Sequence, residues 1–441
     1  MRSRGGGQGS HSGQWPDRSR AAARWSRFPR PDGFDRNPSA IFIRNYLDDE
    51  SVYDRFESYW DIGDHVGAEG ELFETDEGEL SIVVREATLL SKGLRPLPEK
   101  FHGLQDKEKR YRQRYLDLIS NEDVRRTFAD RSRFISALRR NLEDRGFIEV
   151  ETPMMQDLPG GAEAEPFVTH HNALDQDLFL RIAPELYLKR LLIGGFEQVY
   201  EINRNFRNEG LSTQHNPEFT MLELYQAYVD YEDIMELTET FVSEAVKSVA
   251  DGLELSFDGE TIDWSPPWRR VELIDLVEDE LEASISLEDD PTRILELARD
   301  QDIDPEPVDS AGEQVLEVFE EAVEDDLQQP TFVTNFPSSV SPLAKDDPDA
   351  PGTSERFELF VGGLEVGNAY TELNDPLKQR QNFEEQVESG DEIDDDFLEA
   401  LEYGMPPAGG LGLGIDRLVM LLTNSTSIRE VILFPMLRQR E

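Results

Sequence analysis

Arg204-Asn205-Phe206-Arg207-Asn208-Glu209-Gly210, followed nine residues later by Phe219, is the stretch whose reading decides the fold. Its Phe-Arg-Asn-Glu segment reads as a strand leading into a polar, glycine-bearing turn. Close to the C-terminus lies a second run, Gly409-Gly410-Leu411-Gly412-Leu413-Gly414-Ile415-Asp416-Arg417. Its small residues permit close backbone approach to a ligand, and Leu418-Val419-Met420-Leu421-Leu422 continues it as a helix with an apolar stripe. The run is not a Walker A loop, because the terminal Lys-Ser/Thr is absent.

Around these stretches the chain is strongly acidic. Its 441 residues carry 44 basic and 93 acidic side chains, a formal charge of -49, and only eight of the basic residues are lysine. Phosphate backbones recruit basic patches, so this balance argues against nucleic acid unless the basic residues gather in one cleft. Aliphatic residues still recur at helical spacing, which a disordered acidic chain would lack. The reading is a folded protein of a high-salt cytoplasm, whose dense carboxylates keep its surface hydrated while salt screens their repulsion. With no cysteine, disulfides, thiolate chemistry and cysteine-ligated zinc are excluded. No apolar run approaches the roughly 20 residues needed to cross a bilayer, so no membrane association is expected.

The first 40 residues differ from the rest, with a charge of +5 against -54 for the remainder. Residues 1–39 are therefore expected to be a disordered or misassigned extension. Residues 40–93 read as strands (Ile41 to Asn45, Val66 to Phe73, Glu79 to Val84) with a short helix from Ser51 to Tyr59. The proline-bearing stretch from Leu94 opens a linker over 94–121. From Glu122 to Arg145 apolar residues at Val124, Phe128, Phe134, Ile135, Leu138 and Leu142 predict an amphipathic helix. Gly146 ends it, and an extended segment runs to Pro153. Residues 271–329 read as acidic helices with a solvated surface.

The Phe-Arg-Asn-Glu strand with Phe219 resembles motif 2 of class II aminoacyl-tRNA synthetases, and the glycine run ending in Ile415-Asp416-Arg417 resembles motif 3. The helix, Gly146, strand and Pro153 resemble motif 1, which builds the dimer interface in that family. The residues between them, notably Ala183-Pro184-Glu185-Leu186-Tyr187-Leu188-Lys189-Arg190-Leu191 and Met221-Leu222-Glu223-Leu224-Tyr225, resemble the lysine-specific branch over nearly the whole chain. The resemblance implies an α+β catalytic domain over 122–441, a mainly antiparallel sheet flanked by helices, with 271–329 as its helical insertion. It implies that 40–93 is part of an oligonucleotide-binding barrel that reads the anticodon. The earlier strands of such a barrel are missing, and three strands cannot close a five-stranded one.

What the resemblance implies for chemistry is activation of L-lysine by ATP with Mg2+ in a homodimer, then transfer to the 3' end of tRNA(Lys). Two anionic reactants must be held together, a task for arginines, a divalent ion and an aromatic platform. Arg207 would bridge the substrate carboxylate and the α-phosphate, where a bidentate guanidinium outperforms a flexible ammonium. Glu209 would approach the adenine amino group, His215 the phosphates, Phe219 the adenine face and Arg417 the γ-phosphate, with Asp416 orienting Arg417. Glu365 and Glu372 resemble the pair that holds magnesium. Their odd separation puts them on opposite faces of a regular strand, so a bulge or turn near Gly367 must bring them together. For the lysine itself, Glu185 and Glu223 would take the α-amine, and Tyr225 and Glu372 the side-chain ammonium. Asn368 would steady the carboxylate, Tyr370 would pack against the stem, and Gly161 would lie in a covering loop. Taken singly, Arg207 could be a surface ion pair, Phe219 a core aromatic and the glutamates solvated charge.

Other functional readings remain beside this one. A relative that transfers an activated amino acid to a protein lysine would form adenylate without charging tRNA. An aspartate or asparagine enzyme would need donors around a side-chain carboxylate rather than these glutamates. A non-catalytic RNA-binding paralogue would keep the fold and lose turnover.

Overall fold

The computed structural model describes residues 20–24, 39–76, 78, 80–98, 104–162, 164–386 and 393–438, in two compact units, Met1–Gln105 and Asp106–Glu441. In the first unit β1 (Arg20–Arg24), β2 (Ser39–Ile41), β3 (His65–Glu74) and β4 (Leu80–Ser91) form an open sheet in the order β1-β3-β4-β2. Period-two alternation buries Val66 and Ala68 of β3 and Ile82 and Val84 of β4. Ala68, Ile82 and Val84 pack against Leu47 and Val52, the latter on helix α1 (Ser51–Tyr59). Phe42 stacks on Phe56 at 4.7 Å, and Trp60 meets both rings edge-on. The pairing of Arg20–Arg24 with β3 departs from the expectation of an unstructured extension, since the open edge of β3 offers backbone partners. The rest of that extension, through Pro38, lies outside the described residues.

The second unit begins before the expected boundary. Asp106 caps the helix Lys107–Arg112 by accepting from the Lys109 N–H. Arg114 is fully buried, donating to Asp117 at 2.6 Å and to the carbonyls of Leu433 and Arg429 at 3.0 and 2.7 Å. A buried, fully engaged guanidinium belongs to a core rather than to a linker. The linker therefore ends by Asp106, and its residues 99–103 lie outside the described ones.

Helix α2 (Glu122–Asp144) buries Val124, Phe134, Ala137, Leu138 and Leu142 along one stripe. Gly146, at φ +95°, turns the chain into β5 (Ile148–Glu149). Then follow α3 (Glu185–Ile193), β6 (Gln198–Phe206), β7 (Glu218–Ala227), α4 (Tyr231–Lys247), β8 (Arg269–Glu272), β9 (Thr331–Thr334), β10 (Arg356–Val361), β11 (Leu364–Thr371), β12 (Ala408–Gly414) and α5 (Ile415–Leu422). Eight of these strands form one sheet, ordered β8-β9-β10-β11-β12-β7-β6-β5. The terminal pairs are parallel and the interior pairs antiparallel. Three helices, Leu273–Leu281, Pro291–Asp300 and Ala311–Ala322, lie between β8 and β9 around a core of their own. The unit is thus α+β, a mixed and mainly antiparallel sheet flanked by helices.

The pleat sorts side chains between core and cavity. Leu222 and Leu224 of β7 enter the main core with residues of α2, α4 and α5, while Met221, Glu223 and Tyr225 line a cavity on the other face. On β11, Ala369 turns to the core, and Asn368 and Tyr370 to the cavity. No helix among the described residues is long and apolar enough to cross a membrane.

Candidate active site

The cavity holds about 660 Å³ and draws its walls from α3, β7, β10, β11, β12 and α5, and from the loop that follows β6. Cationic and aromatic groups gather at one end, and carboxylates with phenols at the other.

At the first end, Arg207 leaves β6 and its N–H donates to the Pro217 carbonyl at 3.0 Å, closing the loop before β7. Its guanidinium lies 5.3 Å from the centroid of Phe219, a cation–π contact. Its Nε is buried with no hydrogen-bond partner among the described residues, a donor that an incoming anion would satisfy. Arg417 donates to the backbone carbonyl of Glu365 at 2.5 Å and to its carboxylate at 3.2 Å. Its other terminal nitrogen lies 3.1 Å from His215 Nε2, whose ring also meets Ser212 Oγ at 2.9 Å. Burial, and then Arg417, hold the His215 pKa below its usual value, so Nε2 accepts as a neutral imidazole. Glu209 stands exposed at the mouth of the cavity.

Asp416 does not orient Arg417. It accepts from the Thr220 backbone N–H at 2.7 Å and pairs with Arg131 of α2 at 2.5 Å, while Arg131 also donates to Thr220 Oγ1 at 3.0 Å. This buried pair fastens the strand carrying Phe219 to α2, and Arg417 is positioned by Glu365 and His215 instead.

The two glutamates expected to share a magnesium ion are not brought together. A bulge in β11 sets Leu359 opposite Gly367 and Phe360 opposite Glu365, so Val366 is the extra residue. It does turn both glutamates to the cavity. Seven residues of extended chain still separate their Cα atoms by about 20 Å, too far for one ion. Glu365 faces Arg417, whereas Glu372 lies 2.5 Å from the Lys189 ammonium. Glu365 instead acts on Glu358 and Glu324. Burial, opposed by Arg356 and reinforced by Glu365, pushes Glu358 up to about 8, and burial followed by Glu365 pushes Glu324 up to about 7. Such crowding of carboxylates is relieved by a cation. Magnesium takes one or two protein carboxylates beside substrate phosphates, so the set fits it although no cluster of three metal-ligating side chains occurs among the described residues.

At the carboxylate end, Glu185, Glu223 and Glu372 are all buried. Tyr370 donates its hydroxyl to Glu185 Oε1 at 2.7 Å. Lys189, one turn further along α3, donates to the same oxygen at 2.6 Å, and its ammonium lies 5.5 Å from the Tyr370 ring centroid. Burial alone would lower the Lys189 pKa, but Glu185 and Glu372 outweigh it and hold it above the usual value. Glu223, buried near Glu185 and Glu201, is pushed up to about 8 despite Arg181 and a 3.4 Å hydrogen bond from Asn205. Burial first, then Glu185, Glu223 and Glu372, keep Tyr225 a neutral phenol. Arg356 donates to Asn368 Oδ1 at 3.2 Å, leaving the amide nitrogen as the free donor. Gly161 packs on Glu185 at φ +84°, where an added Cβ would stand 2.9 Å from the Glu185 Cβ.

The family profile described as "tRNA synthetases class II (D, K and N)" matches residues 106–438. The chain is 54% identical over 404 residues to the lysine–tRNA ligase of Syntrophomonas wolfei, covering 90% of this chain and 82% of that protein. It belongs to the class II lysyl-tRNA synthetase family. It is likewise 52% identical over 408 residues to the lysine–tRNA ligase of Halalkalibacterium halodurans, covering 91% of this chain and 81% of that protein. The lysine–tRNA ligase of Staphylococcus aureus matches at 52% over 408 residues, covering 90% and 82%.

Three residues in or directly behind the walls of this synthetase cavity escaped the reading of the sequence. Lys189 stands in the motif containing Glu185, and its i,i+4 spacing from that residue was a signal of their pairing. Glu358 precedes Glu365 by the same seven residues that separate Glu365 from Glu372. Arg356, bonded to Glu358 at 2.6 Å as well as to Asn368, carried no local signal.

Proposed function

We propose that this cavity activates L-lysine with Mg2+-ATP and transfers lysine to tRNA(Lys), as a lysine–tRNA ligase. The observation that carries the reading is the division of charge within one cavity. Arg207, Arg417, His215 and Phe219 suit a nucleotide, while Glu185, Glu223, Glu372, Tyr225 and Tyr370 suit a small molecule with two ammonium groups. An aspartate or asparagine pocket would present donors where these carboxylates stand.

In the first step a lysine carboxylate oxygen attacks the α-phosphorus of ATP, a phosphorus–oxygen bond breaks, and pyrophosphate leaves. Arg207 would hold the two anions against each other, using the unpartnered Nε and the terminal nitrogens above Phe219. Phe219 would offer its open face to adenine, Glu209 would approach the adenine amino group, and Arg417 with neutral His215 would meet the outer phosphates. Glu365 and Glu358 would hold magnesium, which supplies positive charge to the phosphate oxygens. Glu185 and Glu223 would orient the α-amine, Asn368 the carboxylate, and Glu372 with Tyr225 the side-chain ammonium. In the second step a ribose hydroxyl of the tRNA 3' end attacks the lysyl carbonyl and AMP departs. No side chain here is assigned as its general base.

The reading includes a cytoplasmic homodimer. Ile148, Met154 and Met155, in and beyond the motif 1 strand at the sheet edge, are 50%, 48% and 55% exposed, an apolar surface suited to a second copy. The test is lysine-dependent ATP–pyrophosphate exchange in high-salt buffer with magnesium, with aspartate and asparagine in parallel. Exchange with lysine alone, followed by charging of tRNA(Lys), is expected. A folded protein that gives no exchange would return the assignment to a non-catalytic paralogue.

A further inference from the structure

Among the described residues Lys189 is the one buried lysine, and it stands behind Glu185 and Glu372, which line the carboxylate end of the cavity. Its ammonium is 2.6 Å from Glu185 Oε1 and 2.5 Å from Glu372 Oε2, and it lies over the Tyr370 ring whose hydroxyl meets the same Glu185 oxygen. Helix α3 carries Glu185 and Lys189 one turn apart, and Glu372 follows β11, so three side chains from two elements are tied at one nitrogen. The ammonium occupies one oxygen of each carboxylate. Glu372 Oε1 is left buried and without a hydrogen-bond partner among the described residues.

The space beside that oxygen is kept open by a residue of the glycine run. Gly410 lies opposite Tyr225 in the β7–β12 pairing and opposite Tyr370 in the β11–β12 pairing. A Cβ at position 410 would collide with Glu372 Oε1 and stand 2.6 Å from the Tyr225 ring. This glycine therefore serves the amino-acid end of the cavity and not the nucleotide.

We propose that Lys189 is a positioning residue for lysine recognition: its buried ammonium holds Glu185 and Glu372 in separate roles and leaves Glu372 Oε1, in the space kept by Gly410, as the acceptor for the substrate's side-chain ammonium. The substrate carries an ammonium at each end, and two unrestrained carboxylates so close together could converge on either one. A fixed internal cation prevents this by taking the near oxygen of each. It also offsets one of the two negative charges, so that the substrate's side chain completes the neutralisation rather than competing with an excess of anions. The inference rests on lysine being the amino acid activated here.

The test uses full-length wild type, Lys189→Met and Gly410→Ala, each with lysine and ATP varied separately in ATP–pyrophosphate exchange and with thermal melts in parallel. Lys189→Met, similar in shape and uncharged, is expected to raise the KM for lysine by about tenfold or more while the KM for ATP stays within about twofold. Gly410→Ala is expected to raise the KM for lysine selectively as well. If wild type shows no lysine-dependent exchange, the functional reading itself fails. If wild type is active and the folded Lys189→Met variant keeps the wild-type KM for lysine, the positioning role is overturned. A Gly410→Ala variant that raises the KM for ATP and leaves that for lysine unchanged would refute the placement of the ammonium site, even if Lys189→Met failed to fold.

Discussion

Replacing Glu223 by glutamine should make the empty protein more stable and the synthetase worse at binding lysine. Glu223 is buried, lies near Glu185 and Glu201, and is pushed from the ordinary 4.5 up to about 8. Below about pH 4.5 the group is protonated in both the folded and unfolded chains and contributes no pH dependence. Between 4.5 and 8 the folded chain keeps a proton that the unfolded chain has released, so stability falls as pH rises through that window. Above 8 the loss is complete and amounts to a few kcal/mol. Glutamine preserves the shape and can still accept the 3.4 Å hydrogen bond from Asn205, but has no charge to bury.

The Tm advantage of Glu223→Gln over wild type should therefore be small near pH 5 and grow steadily to pH 8. Lysine binding should move the other way. A substrate ammonium needs the carboxylate, and losing a charged hydrogen bond costs about 1.5–3 kcal/mol, or roughly ten- to a hundredfold in lysine affinity. Melts at several pH values, with and without saturating lysine, measure both effects. A Glu223→Gln variant that is less stable than wild type at pH 8, or whose stability difference does not change with pH, would refute the reasoning.

Arg207→Lys should lower kcat/KM in lysine-dependent exchange by about a hundredfold or more, because an ammonium cannot bridge carboxylate and phosphate bidentately; near-normal turnover would remove Arg207 from the chemistry. Asp416→Asn should destabilise the chain by about 3–5 kcal/mol in denaturant melts, since it leaves Arg131 buried without its anion; a loss below about 1 kcal/mol would show that the pair does not fasten the motif 2 strand to α2. His215→Ala should raise the KM for ATP several-fold and leave the KM for lysine unchanged, because its ring meets Arg417 at the nucleotide end. High ionic strength should preserve folding and activity, given a charge of -49, and a salt titration followed by near-ultraviolet circular dichroism and exchange would reveal the opposite behaviour.

What could be read from the sequence was mostly local. Phe206 and Phe219 lie in adjacent strands with Arg207 opening the loop between them, an order legible in the chain, and β6 and β7 pair Phe219 with Asn205. The stripe of α2 and its stop at Gly146 likewise followed from spacing. What escaped depends on contacts between distant segments. Arg131 and Asp416 come from α2 and α5, and Arg114 reaches carbonyls at Arg429 and Leu433, beyond any periodic signal. The fate of Glu365 and Glu372 shows the limit most clearly. Their odd spacing implied a bulge, and β11 has one, yet a bulge changes the face of a strand without shortening it. Alternation supplied the facing of the side chains but not which carboxylate partners which cation. That required the positions of Lys189 and Arg417.

The length of β11 then explains how so acidic a chain can accommodate a lysine and a nucleotide together. On the proposed reading Glu365 marks the nucleotide end and Glu372 the amino-acid end, and each carboxylate pairs with a cation of the protein, Arg417 or Lys189. The Lys189–Glu372 pair is fully buried, while Arg417 and Glu365 are 21% and 37% exposed where the cavity opens. Salt screens exposed charges over about a Debye length but acts far less on buried pairs. Carboxylates can therefore accumulate on the exterior without altering the field that Lys189 or the Arg207 guanidinium presents inside. The net charge of the chain and the charge of the cavity are for this reason nearly independent.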